Sequence, residues 1–287
     1  MRRLLPLLAA MLLLTAPPAA AQVYCDAPPR DNWYACPLLR LTAFDAAQSD
    51  CMLLQCGGES MMVDGGSMPY REPLRDALAE LGVSHFKYLL NTHFHDDHIT
   101  GLIYLMRYGF TADAYLHPYT EKGVLTSSLQ KEAIGQAQRS GIPAVQVFHG
   151  DTLLLGEAVI TLYRQEDGIS TNARSLIVHV QFGDASLLLP ADIIGHTQSW
   201  CLDTLPADVL DVDIVKAPHH GVTAMVSGFF KALSPELVFF TNDRERVSKA
   251  QNQADLNGVP TRYTGDGRLV LETDGRDWYV YQQTGRF

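Results

Sequence analysis

NTHFHDDHITG, residues 91–101, sets three histidines and two aspartates among the six positions from His93 to His98. Phe86 to Leu90 precedes it as a short apolar run that reads as a buried strand, and from about Thr100 the residues Leu102, Leu105 and Met106 resume a helical period. The histidines therefore sit where a strand ends. In extended chain His93 and His95, two apart, point to the same side and can share one cation, while Asp97 and His98 come where the chain turns into the helix and can serve a second. Imidazole together with carboxylate suits zinc, and also manganese or iron, so the spacing leaves the metal open.

Two later segments look like completions of the same site. Leu187 to Asp192 is an apolar strand ending in a carboxylate, which places Asp192 at a sheet edge where it could bridge two ions. Ile214 to Gly221 repeats the arrangement with imidazoles, a strand running into His219-His220-Gly221. The chain between these points alternates strands and helices without repeats or low-complexity tracts. Cys51 to Cys56 and Ser60 to Val63 form a strand pair joined at Gly57-Gly58, and Pro73 opens a helix carrying Leu74, Leu78 and Leu81 before Gly82 stops it. A helix follows at Thr126 to Arg139, with strands at Ala158 to Tyr163, Ser175 to Val180, Ser186 to Leu189 and Ile214 to Lys216. Helix Met225 to Leu233, strand Leu237 to Thr241, helix Ser248 to Asn257 and two strands around Gly275 close the chain. One α/β domain with layered sheets is the inference.

The amino end has the order of a secretory signal peptide: Met1-Arg2-Arg3, an apolar run from Leu4 to Thr15, then Ala19-Ala20-Ala21. Cleavage after Ala21 divides the chain into a leader at 1–21, an extension at 22–39 and the folded domain at 40–287. The apolar run is interrupted by Pro6 and falls short of the ~20 residues a membrane span needs. Without Arg2 and Arg3 the mature chain keeps 20 basic against 32 acidic side chains, a net charge of −12, which does not favour a general grip on nucleic acid. The local exceptions, Arg244, Arg246, Lys249 and Arg262, read as a solvated face. Export permits disulfides, and Cys25 with Cys36 is the pair expected to bridge, whereas Cys51 and Cys56 face opposite sides of one strand.

The order Asp64-Gly65-Gly66, His93-x-His95-x-Asp97-His98, Asp192 and His219-His220-Gly221 resembles the metallo-β-lactamase superfamily. The likeness runs from about Phe44 to the end of the chain. Within that superfamily AFDAAQSDCMLLQCGGESMMVDGG, STNARSLIVHV and VKAPHHG resemble the hydrolase domain of ComEC-type competence proteins, which is associated with DNA degradation during uptake. The resemblance implies an αββα sandwich of two packed mixed β-sheets flanked by helices, with two divalent ions, zinc foremost. His93 and His95 would hold one, Asp97 and His98 the other, Asp192 would bridge, and one of His219 and His220 would complete the second site. Asp64 would brace the ligand loop through hydrogen bonds. Many relatives supply a further histidine between His98 and Asp192; here that loop reads Gly168-Ile169-Ser170-Thr171-Asn172, so Asn172 takes the place facing the first ion.

Two close cations lower the pKa of bound water towards ~7 and clamp the oxygens of a phosphoryl transfer. In this reading Asp97 and Asp192 are the catalytic carboxylates, and Lys216 and Arg174 are candidate phosphate partners. The expected function is an exported hydrolase of a phosphodiester, acting on a small molecule or a short substrate. A lactone, β-lactam or other ester or amide is the alternative substrate, and a non-catalytic secreted binding protein with a degraded site is the alternative to an enzyme. H-E-x-x-H, P-loop and G-x-S-x-G patterns are missing from the sequence.

Overall fold

The computed structural model describes residues 21–120, 127–247 and 257–287. Within them the chain runs β1 (Val23–Cys25), β2 (Leu39–Ala43), β3 (Cys51–Cys56), β4 (Glu59–Gly65), α1 (Arg71–Glu80), β5 (His85–Leu90), α2 (Asp96–Arg107), β6 (Thr111–Pro118) and α3 (Ser128–Arg139). The second half holds β7 (Ala144–Val147), β8 (Thr152–Leu155), β9 (Ala158–Tyr163), β10 (Ile177–Phe182), β11 (Ala185–Leu189), α4 (Gly195–Thr204), α5 (Ala207–Leu210) and β12 (Ile214–Lys216). It ends with α6 (Ser227–Leu233), β13 (Leu237–Phe240), β14 (Thr261–Tyr263), β15 (Arg268–Thr273) and β16 (Trp278–Gln283). Among the described residues these strands form a nine-stranded sheet, β1-β16-β15-β2-β3-β4-β5-β6-β7, and a seven-stranded one, β14-β13-β12-β11-β10-β9-β8.

The period-two alternation of the strands makes the layers. On β3 and β4, Met52, Leu54, Met61 and Val63 face the core between the sheets, where they meet Leu162, Val178 and Leu187 of the second sheet. Their neighbours Leu53 and Met62 face outward and are covered by Leu74 and Leu78 of α1 and by Leu102 and Leu105 of α2. On the far side Leu188, Val215 and Val238 pack against Cys201 of α4 and Phe229 and Leu233 of α6. The result is the expected αββα sandwich. Cys51 and Cys56 fall into different cores, one on each face of β3, as the odd spacing requires.

The edge that matters is where β5, β11 and β12 end. All three have parallel partners, so their carboxyl ends and the loops that follow lie along one rim of the sandwich. Helix α2 starts at Asp96 and not near Thr100. Asp96 and Asp97 in the first turn suit the positive end of the helix dipole, and extended His95 precedes them as the N-cap. Thr100 already belongs to the second turn and donates its hydroxyl to the Gly66 carbonyl at 3.0 Å, where the Gly101 amide also points at 3.0 Å.

Some elements escape the sequence reading for physical reasons. Helix α4 buries Thr197, Gln198 and Cys201, so it lacks an apolar stripe. Strand β8 is a short edge with two exposed positions, and β6 is exposed at Thr111 and Asp113 in its first half. Residues 22–39 contribute β1, which pairs in parallel with β16, and Trp33, which is buried edge-on against Tyr279 at 4.5 Å. The expected Cys25–Cys36 bridge is corrected: both are free thiols, Cys25 paired opposite Val280 in β1 and Cys36 exposed. The leader at 1–20 and the helix expected over 248–257 lie outside the described residues, apart from position 257. No helix among the described residues is long and apolar enough to cross a membrane.

The seat of α2 on β4 is backbone against backbone. A Cβ at Gly101 would stand 1.8 Å from the Gly65 carbonyl oxygen, and one at Gly65 2.3 Å from the Leu102 nitrogen. Alanine at position 101 would gain ~1 kcal/mol of helix propensity, but it must push the helix off the sheet, and overpacking of this kind costs about 1–3 kcal/mol or more. Gly101→Ala is therefore expected to lower stability despite its better propensity. Urea unfolding checks this; an unchanged or raised midpoint would contradict the packing described.

Candidate metal centre

Three buried histidines converge on Asp192. The ring Nε2 of His98 lies 3.3 Å from Asp192 Oδ2, that of His220 3.3 Å from Oδ1, and that of His93 3.8 Å from Oδ2. Each ring is aimed by what holds its other nitrogen. His98 Nδ1–H donates to Asp64 at 2.7 Å. His93 Nδ1 meets Thr92 Oγ1 at 3.2 Å, and that hydroxyl gives its own proton to Asp64 at 2.5 Å. His220 Nδ1 meets Thr241 Oγ1 at 3.0 Å, and this hydroxyl donates to Asp50 at 2.7 Å. A hydroxyl that has given away its one proton can only accept, so both imidazoles must carry hydrogen on Nδ1 and turn Nε2 towards the site.

The loops that present these groups are strained. Asp64, Ala191, His219 and His220 adopt φ values of 54°, 49°, 52° and 52°, a region non-glycine residues rarely occupy. Such conformations cost on the order of 1–3 kcal/mol each and persist where the surroundings enforce them. The enforcement is visible. Asp64 accepts from the Thr92 amide at 2.8 Å and from Asn91 Nδ2 at 3.0 Å, besides Thr92 Oγ1 and His98. The Ala191 carbonyl receives the His219 amide at 2.9 Å and Lys216 Nζ at 3.0 Å, which fixes the turn that delivers Asp192.

Two ligand sets share Asp192. His93, His95 and Asp192 form one, with His93 Nε2 3.1 Å from His95 Nδ1. The other gathers His98, His220 and Asp192 with Asp50 beneath them. Asp97 completes it from the solvent side, with Oδ2 3.4 Å from His220 Nε2 and Oδ1 3.9 Å from His98 Nε2. The Nε2 atoms of His98 and His220 and Oδ1 of Asp192 are buried and have no hydrogen-bond partner in the protein. Buried polar atoms are otherwise almost always paired, so this donor set fits a cation.

Charge in the cluster is arranged accordingly. Burial opposes ionisation of Asp192, but His220 and His98 outweigh it and hold the carboxyl well below its ordinary range. Burial likewise opposes a charged His220, yet Asp192 and Asp50 push its pKa up to about 10, and Asp192 with Asp64 raises His98 in the same way. His93 goes the other way: burial, reinforced by His98, keeps it neutral. A divalent ion held among the Nε2 atoms would take the place of the protons of His98 and His220, so its binding would release protons.

His219 stays at the rim, 24% exposed, with Nε2 3.8 Å from Asp192 and Nδ1 3.3 Å from Thr223 Oγ1, so the turn delivers His220 to the cluster. The reading of Lys216 as a phosphate contact is corrected. Its ammonium is fully buried and committed to Asp50, 2.6 Å from Oδ2. Asn172 opens a short turn, Asn172–Arg174, that abuts the histidine loop through the Leu176 amide on the Thr92 carbonyl at 3.0 Å; its Oδ1 is buried without a partner. Arg174 lines a crevice beside His93. Arg244, Arg246 and Arg262 face Asp266, Asp243 and Asp26 and form no phosphate track.

Asp50 and Thr241 were missed by sequence reasoning. Thr241 carries no signal. Asp50 has one: like Asp192 it is a carboxylate at the end of an apolar strand, here immediately before Cys51–Cys56.

A comparison with curated proteins finds no match. The family model described as the metallo-beta-lactamase superfamily matches residues 44–224, more than half of the chain. Among solved structures, a point mutant of the CmlA beta-hydroxylase aligns with a TM-score of 0.56 at 18% identity, over 86% of this chain and 55% of that one. CmlA from Streptomyces venezuelae, a diiron beta-hydroxylase, aligns with a TM-score of 0.50 at 17% identity, over 88% and 53%, so this chain spans about half of CmlA's length. The metallo-beta-lactamase fold protein YhfI from Bacillus subtilis gives 0.55 at 13% identity, over 83% of this chain and 100% of that one. At these identities the structures attest the fold, and together with the family match they show that the chain belongs to the metallo-beta-lactamase superfamily.

Proposed function

We propose that this protein is an exported hydrolase that uses two divalent ions, zinc foremost, to cleave a phosphodiester. The observation that carries the reading is the convergence of the Nε2 atoms of His93, His98 and His220 on one carboxylate, two of them buried without any partner. His93 and His95 would hold the first ion, Asp97, His98 and His220 the second, with Asp192 shared. Two such ions supply an activated water and neutralise charge on the phosphoryl oxygens. Asp192 and Asp97, which face the ring nitrogens of His98 and His220, would accept hydrogen bonds from the attacking water. Water adds at phosphorus, one P–O bond breaks, and the proton lost by the water ends on the leaving alkoxide.

The preference for a phosphodiester rests on the ComEC-like segments and on the chemistry of paired cations, which suits a charged phosphoryl group better than a neutral amide. Export rests on the leader read in residues 1–21. CmlA, a diiron beta-hydroxylase, shares the fold, so the fold alone does not fix the metal.

Three outcomes follow. Purified mature protein is expected to hold close to two ions by elemental analysis, and His220→Ala close to one; a metal-free wild type would refute the centre. Asp64→Asn, which removes no ligand, and Asp50→Asn, which removes the carboxylate beneath the second set, should each weaken metal affinity by about 10- to 100-fold through loss of ring orientation, measured by chelator competition. Against a panel of a chromogenic phosphodiester, single- and double-stranded DNA, a lactone and a β-lactam, the diester should be cleaved, with activity lost on chelation and in Asp192→Asn. Cleavage confined to the lactone or β-lactam would overturn the phosphodiester reading while keeping the metal centre.

A further inference from the structure

His93, Arg164 and Arg174 line a narrow crevice of about 10 Å³, and the same two arginines line a larger cavity of about 580 Å³. They play different parts. Arg164 is almost fully buried and committed to protein: its guanidinium donates to the Arg174 carbonyl at 2.7 Å, to the Tyr119 carbonyl at 2.6 Å and to Glu166 at 2.8 Å. It is a strut that ties two walls of the cavity together. Arg174 has only its Nε engaged, by the Gly168 carbonyl at 2.5 Å; its two terminal nitrogens carry no hydrogen bond among the described residues. A guanidinium fixed at its neck and free at its fork is built to grip a tetrahedral anion through two parallel bonds.

The opposite wall is aromatic. Tyr119 and Phe148 stack with centroids 4.9 Å apart and planes 27° from parallel, and Phe148 is 44% exposed although it is a large apolar ring. Both line the cavity together with Arg174, His149, Arg164, Asp167 and Glu166, the last of these neutralised by its ion pair with Arg164. A cation free at its fork, an aromatic platform beside it, and a crevice shared with the metal-centre histidine describe a ligand with an anionic centre joined to a flat ring. The cavity volume is within the ~300–1,000 Å³ of small-molecule sites, and the net charge of −12 in the mature chain works against a long polyanion.

Resting on the phosphodiester reading, we propose that Arg174 and the Phe148–Tyr119 wall form a substrate subsite for a nucleoside phosphodiester of small size, Arg174 holding a phosphoryl oxygen and the exposed ring of Phe148 stacking on the base. Arg164 is a positioning residue for both walls.

The test uses the metal-loaded mature protein and two ligands, thymidine 5′-monophosphate and methyl phosphate, titrated calorimetrically. The nucleotide should bind about tenfold more tightly or better, the scale of one base stacked on an aromatic side chain. Phe148→Ala, at an exposed position, should erase most of that ratio while leaving methyl phosphate unchanged. Arg174→Met should weaken both ligands by about 10- to 100-fold, and Arg174→Lys should restore part of it. Equal affinity for the two ligands, or a ratio untouched in Phe148→Ala, overturns the subsite. Turnover of the p-nitrophenyl diesters of the same two phosphates separates this from the parent reading. Discriminating binding without cleavage of either ester refutes phosphodiester hydrolysis and leaves the subsite standing. Cleavage of both with equal kcat/KM and equal binding does the reverse.

Discussion

The fixed tautomer of three imidazoles is the constraint on which the rest of this structure depends. Two carboxylates that touch no solvent, Asp50 and Asp64, take the hydroxyl protons of Thr241 and Thr92. Those hydroxyls then have only lone pairs to offer His220 and His93, and His98 reaches Asp64 directly. Ring rotation or a tautomer exchange in any of the three would leave a buried carboxylate or hydroxyl without its partner, a penalty of about 1–3 kcal/mol for each neutral group and more for a charged one. The Nε2 atoms therefore face Asp192 before any ion arrives, and an ion that takes the place of their protons need not turn the rings.

Holding two carboxylates out of water requires compensation. Asp50 obtains it from Lys216, whose ammonium is as deeply buried as the carboxylate it faces. That pair explains why an apolar strand end such as Ile214-Val215-Lys216 carries a cation inward. It also joins the sheets, since Asp50 precedes β3 in one and Lys216 ends β12 in the other. Strain at Asp64, Ala191, His219 and His220 and the bare backbone contact of Gly65 with Gly101 belong to the same device: rigid elements press the loops into conformations they would not adopt alone.

Much of the fold was legible because period-two alternation in Cys51–Cys56 and the helical spacing of Leu74 and Leu78 report burial directly. The centre was legible where ligands cluster in sequence, from His93 to His98. What stayed hidden is long-range. Asp50 lies 166 positions from its ion pair Lys216, and no local pattern links them. Lys216 reads as a phosphate partner in the sequence because isolated lysines are rarely buried. Helix α4 was missed because it buries threonine, glutamine and cysteine in place of an apolar stripe. The start of α2 was placed late because the first turn is spent on ligands, not on core residues.

Anomalous X-ray scattering at the absorption edge of the bound metal tests the central claim most directly. Two peaks about 3.5–4 Å apart are expected on either side of Asp192, one beside His93 and His95 and the other beside Asp97, His98 and His220, with His93, His98 and His220 each contributing Nε2. Coordination through Nδ1 of His98 or His220, or a protein that takes up no metal at this rim, would contradict it.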